Sequence, residues 1–66
     1  QQEAIGEVRA AMAALSEAHR EVLSMRHFQE LTYAEMATLL GVKEGTVMSR
    51  LYRARQALLA AMQEGS

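Results

Sequence analysis

From Ala4 to Leu15 the apolar residues Ile5, Val8, Met12 and Leu15 recur at steps of three and four, the spacing that places side chains in one stripe of an amphipathic helix. Glu3 and Glu7 suit its first turn, where the helix dipole is positive. Ser16 then stands as an N-cap whose hydroxyl can accept an orphan backbone amide, and Glu17 follows at the positive end of a second helix expected to reach about Phe28. Ala18, Val22 and Met25 share one face of that helix. Leu23 and Phe28 lie well off the line, so apolar surface is expected to remain for a partner after the internal core is filled.

Thr32-Tyr33-Ala34-Glu35 has the form of a capping box: Thr32 can cap the amide of Glu35 while the Glu35 side chain returns to the amide of Thr32, with Leu31 and Met36 as a hydrophobic staple. The helix so begun is short, because Gly41 sits where a chain leaving a helix commonly turns left-handed. Only Val42 and Lys43 separate it from a last helix running from about Glu44 to about Met62. Val42 and Val47 can form a second staple there, although Lys43 is a poor capping residue. Gly65 and Ser66 are expected to fray.

A short helix, a tight turn carrying glycine and a second amphipathic helix make a helix-turn-helix. Ala37 lies four residues before Gly41 and Val47 six after it, so alanine permits close approach, glycine makes the turn and valine anchors the second helix. At 100° per residue, Val47, Leu51, Ala54 and Leu58 fall within about 60° of one another and form the expected buried stripe. Gly45, Thr46, Ser49, Arg50, Arg53 and Gln56 fill the remaining arc. Such a surface suits a major groove: arginine can make paired hydrogen bonds to guanine, and serine or threonine can reach base edges or phosphate oxygens. An ordinary surface helix of a bundle would share the periodicity, but not this alanine, glycine and valine spacing.

Charge sharpens the picture. The 66 residues carry a net charge of −1, yet residues 1–42 hold six glutamates against Arg9, Arg20 and Arg26, while Lys43, Arg50, Arg53 and Arg55 all fall within thirteen residues. Such clusters are usually solvated faces, but this one lies on the helix already singled out, as expected of an end that meets an anion. Half the residues are apolar, proline, cysteine, aspartate and asparagine are absent, and twelve alanines and eight leucines supply helix formers. The expected fold is therefore all-α, a four-helix domain with a C-terminal helix-turn-helix, held by its core without disulfides, as suits a reducing cytoplasm. Length allows one domain, residues 1–66, with helices over 4–28 and the helix-turn-helix over 32–62. The first residue is glutamine, so the chain is expected to be a piece of a longer protein, and no apolar run is long enough for membrane insertion.

His19 and His27 are eight residues apart, roughly 12 Å along a helix, too far to share a metal. Neither serine nor glycine spacing supports nucleophilic or phosphoryl-transfer chemistry, and the methionines fall mostly at core spacing. No enzyme activity, metal or cofactor is expected.

The run from Leu15 to Leu58 resembles region 4 of bacterial sigma factors, particularly the extracytoplasmic-function group. The stretches that carry the likeness are Leu15-Ser16-Glu17-Ala18-His19-Arg20-Glu21-Val22-Leu23, then Leu31-Thr32-Tyr33-Ala34-Glu35-Met36-Ala37, and above all Gly45-Thr46-Val47-Met48-Ser49-Arg50-Leu51-Tyr52-Arg53-Ala54-Arg55. The resemblance implies a domain that docks on the flap of the RNA polymerase β subunit and reads the −35 element of double-stranded promoter DNA. By matching positions, Thr46, Met48, Ser49, Tyr52 and Arg53 would face bases or backbone, with Arg50 and Arg55 assisting on phosphates. Thr32, Ala37, Gly41, Val47 and Leu51 would build the motif.

Two positions depart from the pattern. Met48 stands where many relatives carry lysine or arginine, and Lys43 stands where they often carry a capping residue, so Lys43 joins the candidate DNA contacts from the loop. Met48 and Tyr52 lie at the edge of the polar arc, and Tyr52 could instead pack on a neighbouring helix. The resemblance also implies an anti-sigma protein that covers the same surfaces. A third reading, an ordinary helix-turn-helix repressor, would require dimerisation to read a palindrome, and no segment looks like a dimerisation helix.

Overall fold

The computed structural model of the chain describes residues 2–64, with side chains from Gly6 onward. Four helices follow one another: α1 (Gln2–Ala13), α2 (Glu17–Leu23), α3 (Tyr33–Leu40) and α4 (Glu44–Glu64). The expected termini are met within about two residues at each end. Glu3 and Ile5 fall outside the described side chains, and Gly65 and Ser66 outside the described residues, so the expectations for them stand apart from the structure.

Each helix starts where its capping chemistry puts it. The Ser16 hydroxyl accepts from the His19 amide at 3.3 Å and opens α2. At α3 both arms of the capping box are made: the Glu35 amide donates to the Thr32 hydroxyl at 3.1 Å and the Thr32 amide to the Glu35 carboxylate at 2.8 Å. The backbone donor from Thr32, then its hydroxyl, holds the Glu35 carboxyl below its ordinary pKa of 4.5. At α4 no cap side chain is needed for the first bonds, because the Thr46 and Val47 amides donate to the Lys43 carbonyl at 3.0 and 3.1 Å.

Helix ends differ in kind. Gly41 is left-handed, with φ 69°, and the amides of Gly41 and Val42 close on the carbonyls of Thr38 and Ala37, the paired bonds of a Schellman turn. Helix α2 does not end at Leu23 but widens into a π-helical turn, Ser24–Phe28, closed by the Gln29 amide on the Ser24 carbonyl at 3.0 Å. The helical run thus reaches Phe28 as expected, in a form its periodicity does not announce. Beyond it Glu30 adopts φ 56°, and the Leu31 amide reaches back to the Met25 carbonyl at 3.0 Å.

The core is a single apolar cluster of Leu15, Val22, Leu23, Met25, Met36, Ala37, Val47, Leu51 and Ala54, with no buried polar or charged residue among those described. Met12, Leu31, Val42 and Leu58 are half-buried against it, which puts both staple residues where the sequence places them. Helix α4 is the axis of the domain, since α1, α2 and α3 all pack on it.

Two expectations for α2 need correction. Leu23 is fully buried rather than surplus, and Ala18 is exposed. The reason is geometric: α2 packs on α4 while its π-helical turn packs on α3, so the middle of the helix buries a wider arc than one stripe, and Ala18 in the first turn lies beyond it. Phe28, 65% exposed, is the part of the surplus that remains.

The corner between α1 and α2 is fastened by Arg20. Its guanidinium donates to the carbonyls of Ala13 at 3.2 Å and Leu15 at 2.7 Å, occupying acceptors that the end of α1 leaves open.

Candidate nucleic-acid interface

Helix α4 has two faces with opposite chemistry. Val47, Leu51 and Ala54 point inward and are at most 1% exposed, fixing the rotation of the helix. On the other side Gly45, Met48, Ser49, Arg50, Tyr52, Arg53 and Gln56 are exposed and Thr46 is half-buried. The side chains of Lys43, Arg50 and Arg53 make no hydrogen bond or ion pair with any described residue. Three cations, Lys43 just before α4 and Arg50 and Arg53 within its N-terminal half, therefore stand without a partner among the described residues, although glutamate outnumbers them in the chain as a whole.

Tyr52 does not pack on a neighbour: it is 65% exposed, on the same outer surface as Met48 at 51%. The alternative of an internal role for Tyr52 is thereby removed. Ser49 is exposed, and its hydroxyl donates to the Gly45 carbonyl at 3.1 Å. Gly45 itself faces open space, with no atom within 4 Å of where a Cβ would stand, so this stretch of backbone can approach a ligand closely.

Arg55 is set apart from the other bases. It is half-buried, and its charge acts on the π-helical turn, where burial first, then the charges of Arg55 and Arg26, hold the His27 imidazole below its ordinary pKa of 6.5. Arg26 in turn lies 5.6 Å from the Tyr33 ring centroid and donates to the Leu31 carbonyl at 3.4 Å, a cation-π contact that braces the approach to α3.

The motif residues fall where the spacing puts them. Thr32 caps α3, Ala37 is buried where α3 meets the core, Gly41 makes the left-handed turn, and Val47 and Leu51 seat α4. Sequence reasoning did not find a groove of about 340 Å³ between α2 and α4, lined by Ala18, His19, Glu21, Val22, Arg50 and Arg53. It joins the basic face to the second helix, a juxtaposition that depends on tertiary packing. Nor did it find the corner role of Arg20, for which a basic residue four positions after a cap was the only signal. Among the described residues no group of His, Asp or Glu is placed to hold a metal, and no helix is long and apolar enough to cross a membrane.

A capped short helix, a left-handed glycine turn and a second helix with buried valine and leucine behind and free arginines in front define a helix-turn-helix domain of the DNA-binding class. The family can be stated as well. The chain belongs to the sigma-70 region 4 family, whose model matches residues 5–58.

It is 44% identical over 54 residues to the ECF RNA polymerase sigma factor SigL of Mycobacterium tuberculosis, covering 82% of this chain and 30% of that protein. It is 43% identical over 49 residues to the RNA polymerase sigma-H factor of Pseudomonas aeruginosa, covering 74% and 25%. With the RNA polymerase sigma factor YlaC of Bacillus subtilis the figures are 42% over 48 residues, 73% and 28%. The chain thus spans less than a third of the length of these relatives. The family is one of DNA-binding transcription factors, not of enzymes.

Proposed function

We propose that this chain is the promoter-reading domain of an extracytoplasmic-function sigma factor, which lays α4 in the major groove of the −35 element while α1 and α2 hold the β flap of RNA polymerase. The observation that carries the reading is the outer face of α4: unpaired Arg50 and Arg53 beside exposed Gly45 and Ser49, on a helix whose rotation is locked by Val47, Leu51 and Ala54. Thr46, Met48, Ser49, Tyr52 and Arg53 take the groove side, Lys43 and Arg50 take phosphates, and Arg55 meets the backbone at the flank. Phosphate contacts fix the register of such a helix and base-edge contacts give its sequence preference.

Arg53 is the sharpest test. A paired contact to guanine predicts that Arg53→Ala weakens binding to the preferred duplex by about 1–3 kcal/mol and flattens the preference at one position, whereas a phosphate contact weakens all duplexes alike. Fluorescence anisotropy with matched and mutated −35 duplexes separates the two, and unchanged affinity removes Arg53 from the interface. Polymerase docking is tested by NMR titration with a peptide of the flap-tip helix. Shifts confined to residues 4–40 are expected, and no shift at saturating peptide overturns the docking.

A second reading has this domain held by an anti-sigma protein. Phe28 and Leu39, 65% and 67% exposed, favour it, since an amphipathic partner helix seeks such apolar anchors. A co-purifying protein that blocks DNA binding, and loses its hold on Phe28→Ser, would establish it.

A further inference from the structure

Over residues 45–53 the outer face of α4 is cationic and hydrogen-bonding except at Met48 and Tyr52, with exposed Leu59 further along the same line. Met48 and Tyr52 are one turn apart, about 40° from each other around the helix, and both are largely exposed. No contact within the described chain accounts for either. We propose that Met48, backed by Tyr52, contacts the C5-methyl group of a thymine in the major groove. The inference deepens the promoter reading given above and rests on it.

Chemistry selects the thymine. Every base edge in the major groove offers hydrogen-bond donors or acceptors, and thymine alone adds a methyl group. A thioether is a weak acceptor with no donor. Set against guanine, adenine or cytosine, Met48 would strip water from a polar edge and return nothing. Set against the thymine methyl, it removes apolar surface from water on both sides. Its flexible, polarizable chain also adapts to a contact of that size.

The surroundings favour DNA over an apolar protein surface as the occupant. Arg50 and Arg53 have no partner among the described residues and Lys43 stands at the start of the same helix, so an occupant that spans the outer face of α4 from Met48 across Ser49 to Arg53 meets cations along its far edge, as suits a polyanion. Gly45, three residues before Met48, has nothing within 4 Å of its missing side chain. The N-terminal half of α4 can therefore sink toward the groove floor, which brings a side chain of methionine's reach to the base edges.

The test begins by selecting the preferred site of the 66-residue chain, whose core closes within itself, from duplexes with a randomised centre. Each thymine of the enriched site is then replaced singly by deoxyuridine, which removes only the C5-methyl, and affinities are measured by fluorescence anisotropy. At one thymine, or two adjacent ones, the replacement should weaken binding about fourfold, the factor given by about 0.8 kcal/mol for one buried methyl-sized group at about 1.4 kcal/mol per tenfold. Met48→Ala should bind the thymine and deoxyuridine duplexes equally. The methyl contact is overturned if deoxyuridine is neutral throughout, if no thymine is enriched, or if Met48→Ala keeps the same sensitivity. Should a site be enriched and Arg53→Ala weaken it while no methyl matters, the promoter reading stands and this contact alone falls. Should no sequence be enriched, the promoter reading itself falls and takes the contact with it.

Discussion

The hydroxyl of Ser49 donates to the carbonyl of Gly45, one turn back along α4, at 3.1 Å. A carbonyl only accepts, so the Ser49 proton is committed and its oxygen meets the groove with lone pairs alone. That narrows what an exposed serine can read: an adenine N6 or cytosine N4 amino group suits it, whereas guanine O6 and phosphate oxygens do not. Ser49→Ala should weaken the preferred duplex by about 1 kcal/mol, the worth of one ordinary hydrogen bond. The loss should vanish on a duplex in which the matching adenine or cytosine is exchanged for thymine or guanine. A melting curve should barely move, because the internal bond is solvent-exposed. Equal losses on every duplex would show that the hydroxyl rotates to a phosphate instead.

Two left-handed residues shape the connections before and after α3, and they predict opposite signs. Gly41 at φ 69° has open space where a Cβ would go, so the penalty for Gly41→Ala is conformational, about 1–2 kcal/mol. In a domain of this size that lowers the melting temperature by about 4–8 °C per kcal/mol. Glu30 adopts φ 56° with a side chain in place. Glu30→Gly relieves that cost but loosens the unfolded chain, and the balance is a gain of roughly 0.5 kcal/mol. Thermal denaturation followed by circular dichroism checks both, and a Glu30→Gly variant that melts lower than the parent would refute the assignment of strain.

Arg20 offers a test of how the first two helices are held together. Its two bonds to the Ala13 and Leu15 carbonyls are charge-assisted, and loss of such bonds costs about 1.5–3 kcal/mol when the acceptors are shielded, less here because one is exposed. Arg20→Met keeps the aliphatic stem and removes only the donors. It should destabilise by about 1 kcal/mol and raise amide hydrogen exchange in α1 before the rest of the domain. Exchange rising uniformly over all four helices would mean that the corner is not a local fastening.

What was legible in the sequence follows from how local its cause is. The Thr32 and Glu35 box, the Ser16 cap and the Gly41 turn depend on residues three or four apart, and each is found as expected. The inward face of α4 was legible because a 21-residue helix gives a periodicity several turns in which to repeat. Helix α2 is seven residues long before it widens, so two turns set its bearing poorly and Leu23 falls outside the stripe that its spacing predicts. The widening itself leaves no periodic trace. The groove beside Arg50 and Arg53 arises where α2 meets α4, and the action of the Arg55 charge on His27 likewise crosses from one element to another. Spacing along one helix cannot supply those relations.

The charge of Arg55 opposes protonation of His27 and so links pH to the helix that carries the interface. Burial, then Arg55, then Arg26, hold the imidazole below 6.5, so the folded state disfavours its protonation while the unfolded chain protonates at the ordinary value. As pH falls through about 6.5 the unfolded state takes up its proton first, and stability declines until the lower folded pKa is passed. Because His27 is largely exposed, solvent screening keeps the effect small, and His27→Gln should remove it. The interface adds a sharper reading. If Arg55 meets a DNA phosphate, the anion offsets the cation that opposes His27 protonation, and the His27 pKa should rise on binding; by linkage, acidification through that range should then tighten the complex through this site. Titration of the His27 ring resonances by NMR, with and without a saturating duplex, reads the shift directly. Arg55→Gln should raise the pKa of the free domain and abolish any further rise with DNA. An imidazole that titrates identically in the free and bound domain would place Arg55 off the phosphate backbone and leave the DNA contacts to Lys43 and the outer face of α4.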